Sequence, residues 1–119
     1  MVHIQIEYGN LCIAAHNYND NRFFGNLYKL EIGDKINIYD SSNFCITYYV
    51  YNKFETLESD VSSTSQNTNG NREITLVTCN NTNKKRVIVK AKEEKNGRIW
   101  FVHFFHYILL NIFKIYYNL

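Results

Sequence analysis

Residues 74–79, ITLVTC, the polar turn 80–85, NNTNKK, and residues 86–92, RVIVKAK, decide how this chain folds. ITLVTC is a short apolar, β-branched run of the kind a buried strand requires. RVIVKAK alternates apolar and charged residues, the pattern of a strand with one face toward water. Asn, Thr and Lys between two such runs mark a tight reversal, so the pair is expected to be an antiparallel hairpin. In such a hairpin Cys79 ends one strand and Arg86 opens the next, which puts both at the same rim of the sheet.

Working toward the N-terminus, residues 44–57 (FCITYYVYNKFETL) form a long run rich in aromatic and β-branched residues, and residues 35–40 (KINIYD) alternate with period two. Both read as strands. Residues 22–30 (RFFGNLYKL) carry Phe23, Leu27 and Leu30 at helical spacing, which predicts one short helix. Ile32-Gly33-Asp34 breaks the chain after it. Residues 10–15 (NLCIAA) read as a buried strand ending at His16, and residues 3–8 as a weaker strand or a remnant of one. Residues 58–72 (ESDVSSTSQNTNGNR) are a polar connection, long enough to point to a functional or mobile loop.

Composition narrows the classes. The 119 residues suffice for one small domain with a modest core. The formal net charge of +2 supplies no basic field for nucleic acid. There is no proline, so Asn and Gly must build the turns. Three cysteines at wide, unrelated spacing make neither a disulfide framework nor a zinc site. Cys12 and Cys45 sit within apolar runs and are expected to be buried small hydrophobes. Cys79 is different, because a polar segment comes directly after it. No signal peptide is visible in MVHIQIEYG.

Residues 99–117 (IWFVHFFHYILLNIFKIYY) are nearly continuous apolar and aromatic, about the length that crosses a bilayer. His103, His106, Asn111 and Lys114 interrupt them, each at a cost in lipid. The expectation is a hydrophobic tail over residues 96–119, read equally as a membrane helix, an interfacial or packed terminal helix, or a tail apart from the fold.

A thiol becomes a useful nucleophile when a His or a cation favours its thiolate. His16, Cys79 and Arg86 all fall at strand ends, where a rigid scaffold can bring them to one rim. A Cys/His pair supports acyl transfer through a thioester, and a guanidinium can stabilise the oxyanion that forms. The residues alone permit such a site and equally permit a core thiol, a loop His and a solvated Arg.

ITLVTC resembles the TLxTC signature of the sortases. The seven-residue step to Arg86 resembles the family's next strand, and AAHNY at 14–18 resembles the segment around its catalytic His. FFGNLYKLEIGDKINIY at 23–39 resembles the family's short helix, Gly-Asp turn and strand beyond that His. The resemblance runs from about residue 8 to residue 92. It implies a mostly β, sortase-like barrel with one short helix, of which residues 1–95 are the catalytic part, and it favours a class A- or D-like member.

It further implies a cysteine transpeptidase that cleaves an LPxTG-like sorting signal between Thr and Gly. Cys79 is then the nucleophile, His16 the acid/base, Arg86 the oxyanion-side cation and Thr78 a substrate-placing residue. The acceptor is an amine of a cell-wall precursor or a pilin, at the outer face of a Gram-positive cell membrane, and no cofactor is needed. Some family members bind calcium, for which Glu55, Glu58 and Asp60 are candidates; a solvated acidic edge is the favoured reading of the three. His3, His103 and His106 match nothing in the family.

The family has several strands and a signal anchor before its His, where this sequence has fifteen residues. The chain is therefore expected to correspond to the C-terminal portion of a sortase, with open strand edges. A catalytically inactive fragment or an interaction module is the alternative function.

Overall fold

A computed structural model describes residues 9–39, 42–93, 106–109 and 114–117. The hairpin is present as expected. Strand β4 (Arg72–Cys79) pairs antiparallel with β5 (Arg86–Glu93), and Cys79 faces Arg86 across the ladder. Within the turn, Lys84 takes a left-handed conformation and donates its N–H to Asn80 O, while Asn80 N–H donates to Lys85 O.

The remaining strands are β1 (Gly9–Ala14), β2 (Lys35–Tyr39), β3 (Cys45–Thr56), β6 (His106–Leu109) and β7 (Lys114–Tyr117). They form one curled sheet in the order β1-β4-β5-β3-β2-β7-β6. All described pairs are antiparallel except β1 with β4, which run parallel, with Leu11 opposite Ile74 and Ala14 opposite Val77. This one parallel pair matters most for the site. Parallel neighbours end at the same side of a sheet, so the chain leaving β1 and the chain leaving β4 emerge together.

The alternation along each strand separates two faces. Ile74 and Leu76 of β4, Val89 and Ala91 of β5, Tyr48 and Val50 of β3 and Ile36 and Ile38 of β2 point inward, packed with Ile13, Phe24, Leu27 and Leu30. Cys12, Thr75, Val77, Cys79, Arg86, Ile88 and Lys90 share the opposite face by register. Cys12 is therefore exposed rather than buried, and Cys45 is only half-buried, contrary to the reading of both as core thiols. In each case the strand's alternation turns the residue away from the core.

The predicted helix over 22–30 shrinks to a single 3-10 turn, Leu27–Lys29. Its buried set also differs from the helical spacing. Phe23 adopts φ 49° and lies 40% exposed against Tyr18, while Phe24 is fully buried with Leu27 and Leu30. Gly25 explains the tight path. A Cβ there would stand 1.7 Å from the Asp20 carbonyl oxygen, a backbone atom that cannot step aside. Gly25→Ala is expected to lower stability by about 1–3 kcal/mol, the usual cost of forcing atoms into a filled space, read as a lower urea midpoint. Gly33 is the other glycine with a conformational task. At φ 92° it turns the chain into β2 and donates its N–H to Val50 O at 2.8 Å.

The long polar connection is ordered by its own turns and by the sheet. Asp60 accepts from Ser62 N–H and Oγ at the head of a second 3-10 turn, Ser62–Thr64. Ser63 and Thr68 are buried. Ser63 O accepts from Lys90 Nζ at 2.9 Å and from Asn10 Nδ2 at 2.8 Å, which fastens the loop over β1, β4 and β5. Burial there pushes the Lys90 ammonium below its ordinary range.

The tail is where expectation and structure part. Residues 106–109 and 114–117 are strands rather than helix, and β7 pairs with β2, Ile38 opposite Ile115. Isoleucine and tyrosine suit an extended backbone, and β2 offers a free ladder to pair with. Among the described residues no helix is long and apolar enough to cross a membrane. The readings of residues 3–8 and of His3 and His103 fall outside the described residues.

Candidate active site

The site is built at the strand ends. β1 runs out at Ala14, β4 at Cys79, and β5 begins at Arg86. Ala14, Ala15, His16, Val77, Thr78, Cys79 and Arg86 line one pocket of about 290 Å³. The three residues singled out for acyl transfer thus share one opening, although sixty-three positions separate His16 from Cys79 in the sequence.

Arg86 is the link between the thiol and the loop. Its Nη1 donates to Cys79 Sγ, and its Nη2 to Glu58 Oε1 at 3.0 Å. A guanidinium has several donors in one plane, so it can hold the sulfur with one nitrogen while a carboxylate fixes its tilt through another. His16 is exposed, and its ring lies against Tyr18 with centroids 5.3 Å apart. Its carbonyl accepts from Phe24 N–H at 3.1 Å. Among the described residues, no hydrogen bond from another side chain holds its imidazole.

Thr78 lines the same pocket but is 3% exposed, and its hydroxyl donates to Ala15 O at 2.8 Å. Its proton is spent on the segment that carries His16. The other two thiols are set apart from this arrangement. Burial pushes both the Cys12 and Cys45 thiols above the ordinary thiol range, Cys12 even though the residue as a whole is exposed.

The three acidic residues weighed for calcium engage different partners. Glu55 accepts from Asn80 and Asn83, Glu58 from Arg86, and Asp60 from Ser62. Among the described residues no three His, Cys, Asp or Glu side chains converge as a metal site.

Two further cavities adjoin. One of about 250 Å³ lies between the outer sheet face and the long loop, bounded by Cys12, Thr56, Val61, Ser63, Val77, Arg86 and Ile88. It shares Ala14, Val77 and Arg86 with the Cys79 pocket. A larger one, about 670 Å³, lies on the other side of the β4–β5 turn, among Asn17, Tyr28, Lys53, Phe54 and Asn80. Size does not locate the chemistry here, since that larger space contains none of His16, Cys79 or Arg86.

Sequence reading missed Glu58 as the partner of Arg86, and it missed Asn17 and Asn81. Asn17 Nδ2 donates to Cys79 O at 2.8 Å and Asn81 Nδ2 to Asn17 O at 2.7 Å. These contacts join segments more than sixty residues apart, and asparagine-rich turns carry no local mark of such a role.

A curled β-sheet that presents a guanidinium-bound thiol and an imidazole at one rim defines a cysteine-centred domain of the sortase kind. The Sortase domain matches residues 4–94, and the chain belongs to that family. No curated protein sequence matches. Among solved structures, a Clostridium perfringens Sortase D5 transpeptidase is 38% identical with a TM-score of 0.65, covering 77% of this chain and 57% of that one. Listeria monocytogenes sortase A is 27% identical with a TM-score of 0.63, covering 80% and 66%. Group B Streptococcus Pilus Island 1 Sortase C2, at 22% identity and a TM-score of 0.67 over 78% and 53%, shares the fold. This chain therefore spans between about half and two thirds of the length of these proteins.

Proposed function

We propose that the protein is a sortase-type cysteine transpeptidase in which Cys79 is the nucleophile, His16 the acid/base and Arg86 the oxyanion-side cation. The observation that carries this is the Arg86 contact to Cys79 Sγ in a pocket that also contains His16. The substrate is an LPxTG-like sorting signal of a surface protein. It lies extended along the outer sheet face, in the cavity under the 58–68 loop that opens onto Arg86.

The Cys79 thiolate attacks the Thr carbonyl of the signal and forms a C–S bond. Arg86 faces the negative charge that gathers on the carbonyl oxygen. As the tetrahedral intermediate collapses, the Thr–Gly C–N bond breaks, and protonated His16 gives its proton to the leaving Gly amine. A thioester remains on Cys79. An amine from a cell-wall precursor or a pilin then attacks it, His16 takes the proton, and Cys79 leaves as thiolate. Water replaces the amine in slow hydrolysis. Thr78 serves this site indirectly, through its hydrogen bond to the Ala15 carbonyl. Residues 1–95 make up the catalytic unit, which acts at the outer face of a Gram-positive membrane.

A fluorogenic LPxTG-type peptide supplied with a glycine-based amine tests the reading. The expected result is cleavage between Thr and Gly with an amine-linked product by mass spectrometry. Cleavage at another bond, or no product, overturns it and leaves an inactive fragment or interaction module.

A further inference from the structure

We infer that Asn17 is a positioning residue that fixes His16 relative to Cys79 by stapling the two segments together through its side-chain amide. The inference deepens the reading of His16 and Cys79 as a working pair and rests on it.

The parallel ladder between β1 and β4 continues as far as Ala15, whose N–H donates to Val77 O at 3.1 Å. One rung further, the ladder would join residue 17 to Cys79. There the chain turns away: Asn17 bridges to Phe23, and His16 O accepts from Phe24 N–H. The missing rung is supplied by the Asn17 side chain, whose Nδ2 donates to Cys79 O at 2.8 Å. Its Oδ1 accepts from Asn19 N–H at 2.9 Å. The amide can be placed only one way round, because flipping it would set an oxygen against the Cys79 carbonyl and an NH₂ against the Asn19 N–H.

A second bond runs the opposite way. Asn81, two residues beyond Cys79, donates through Nδ2 to Asn17 O at 2.7 Å and to Asn19 Oδ1 at 3.1 Å. On the other side of His16, Ala15 O accepts from Thr78 Oγ1. His16 is thus held at both neighbours by residues 77–81 while no hydrogen bond from a described side chain reaches its own ring. Its placement in the pocket it shares with Cys79 is inherited from the backbone that Asn17 and Ala15 pin down. Reacting groups moved by about 1 Å can lose about a hundredfold in rate, so this staple has leverage.

The test is the rate at which iodoacetamide alkylates Cys79, read peptide by peptide, with Cys12 and Cys45 as references in the same molecule. Asn17→Leu keeps the branched shape and adds no charge, but removes the donor to Cys79 and the acceptor for Asn19. It is expected to slow Cys79 alkylation about tenfold. In a His16→Ala background the same substitution is expected to change the rate by less than about twofold, because coupled residues do not add. An unchanged rate in the first background, or an equal loss in both, overturns the inference. Should Asn17→Leu not fold, Asn81→Ala takes its place in the same cycle, with a smaller loss expected in the first background and the same two overturning results. In peptide transfer, kcat is expected to fall while KM stays within about twofold. If the protein transfers no peptide at all, the functional reading fails, and the alkylation cycle still decides the staple.

Discussion

Cys79→Ala is expected to remove peptide cleavage and transfer altogether, a loss of at least about 10³-fold in kcat. No other described thiol can take its place. Cys12 lies several residues back along the sheet from the rim, Cys45 is on β3, and burial holds both thiols up. Nor can water do the work of the missing sulfur, since the proposed reaction splits one hard acyl transfer into two easier ones through a covalent intermediate. The fold should tolerate the change. Cys79 is half-buried on the outer face and stands outside the packed cluster that includes Ile74 and Leu76. A variant that is silent in the transfer assay yet unfolds at the same urea concentration as the parent is the expected pair of results. Retained turnover in Cys79→Ala contradicts the assignment.

Removing the Arg86 guanidinium is expected to have the second largest effect. Arg86→Ala should cost about 10²–10³-fold in kcat, the usual loss when a preorganised oxyanion donor is removed. Arg86→Lys should recover little of it. A lysine has one point of charge, whereas here one nitrogen holds Cys79 Sγ while a second holds Glu58. Glu58 opens the long loop, so the substitution also frees that loop from the rim, and KM for the sorting peptide should rise as well. Steady-state kinetics on the two variants separate these effects. A lysine variant with parental kcat would show that only positive charge is needed at this position, and that the planar fork is not.

The hairpin and the placement of His16, Cys79 and Arg86 at strand ends were legible because each rests on a local signal, whereas the parallel β1–β4 pairing that joins His16 to the hairpin was not. Alternating residues mark β5, an apolar run marks β4, and the catalytic types fall at strand ends. What escaped reading is non-local or depends on one torsion angle. Phe23 and Phe24 are interchangeable in a hydrophobic pattern, and the left-handed backbone at Phe23 together with the space closed off at Gly25 decides which is buried. Cys12 looks like a core residue within LCIAA, yet the pleat turns it outward. The 99–117 run has the length of a helix, but the open edge of β2 draws part of it into strand pairing. The asparagine staple has no periodicity at all, since Asn17 and Asn81 meet only after the parallel β1–β4 pair has formed.

That pair is also what the site depends on. Parallel register brings the ends of β1 and β4 out together, so that His16 and Cys79 line one pocket, and the side chains of Thr78, Asn17 and Asn81 then hold the two exits together. The core beneath consists of ordinary aliphatic and aromatic packing, while the rim is held by polar contacts at single positions. Changes at the rim are therefore expected to affect catalysis before stability.

The most direct measurement is the mass of the acyl-enzyme. The protein is incubated with an LPxTG-type peptide and no amine, quenched in acid, and digested. The account predicts a mass increase equal to the peptide up to its Thr, confined to the fragment containing Cys79, lost on adding a glycine-based amine and absent in Cys79→Ala. An adduct on Cys12 or Cys45, or peptide turnover with no adduct on Cys79 at any quench time, would contradict it.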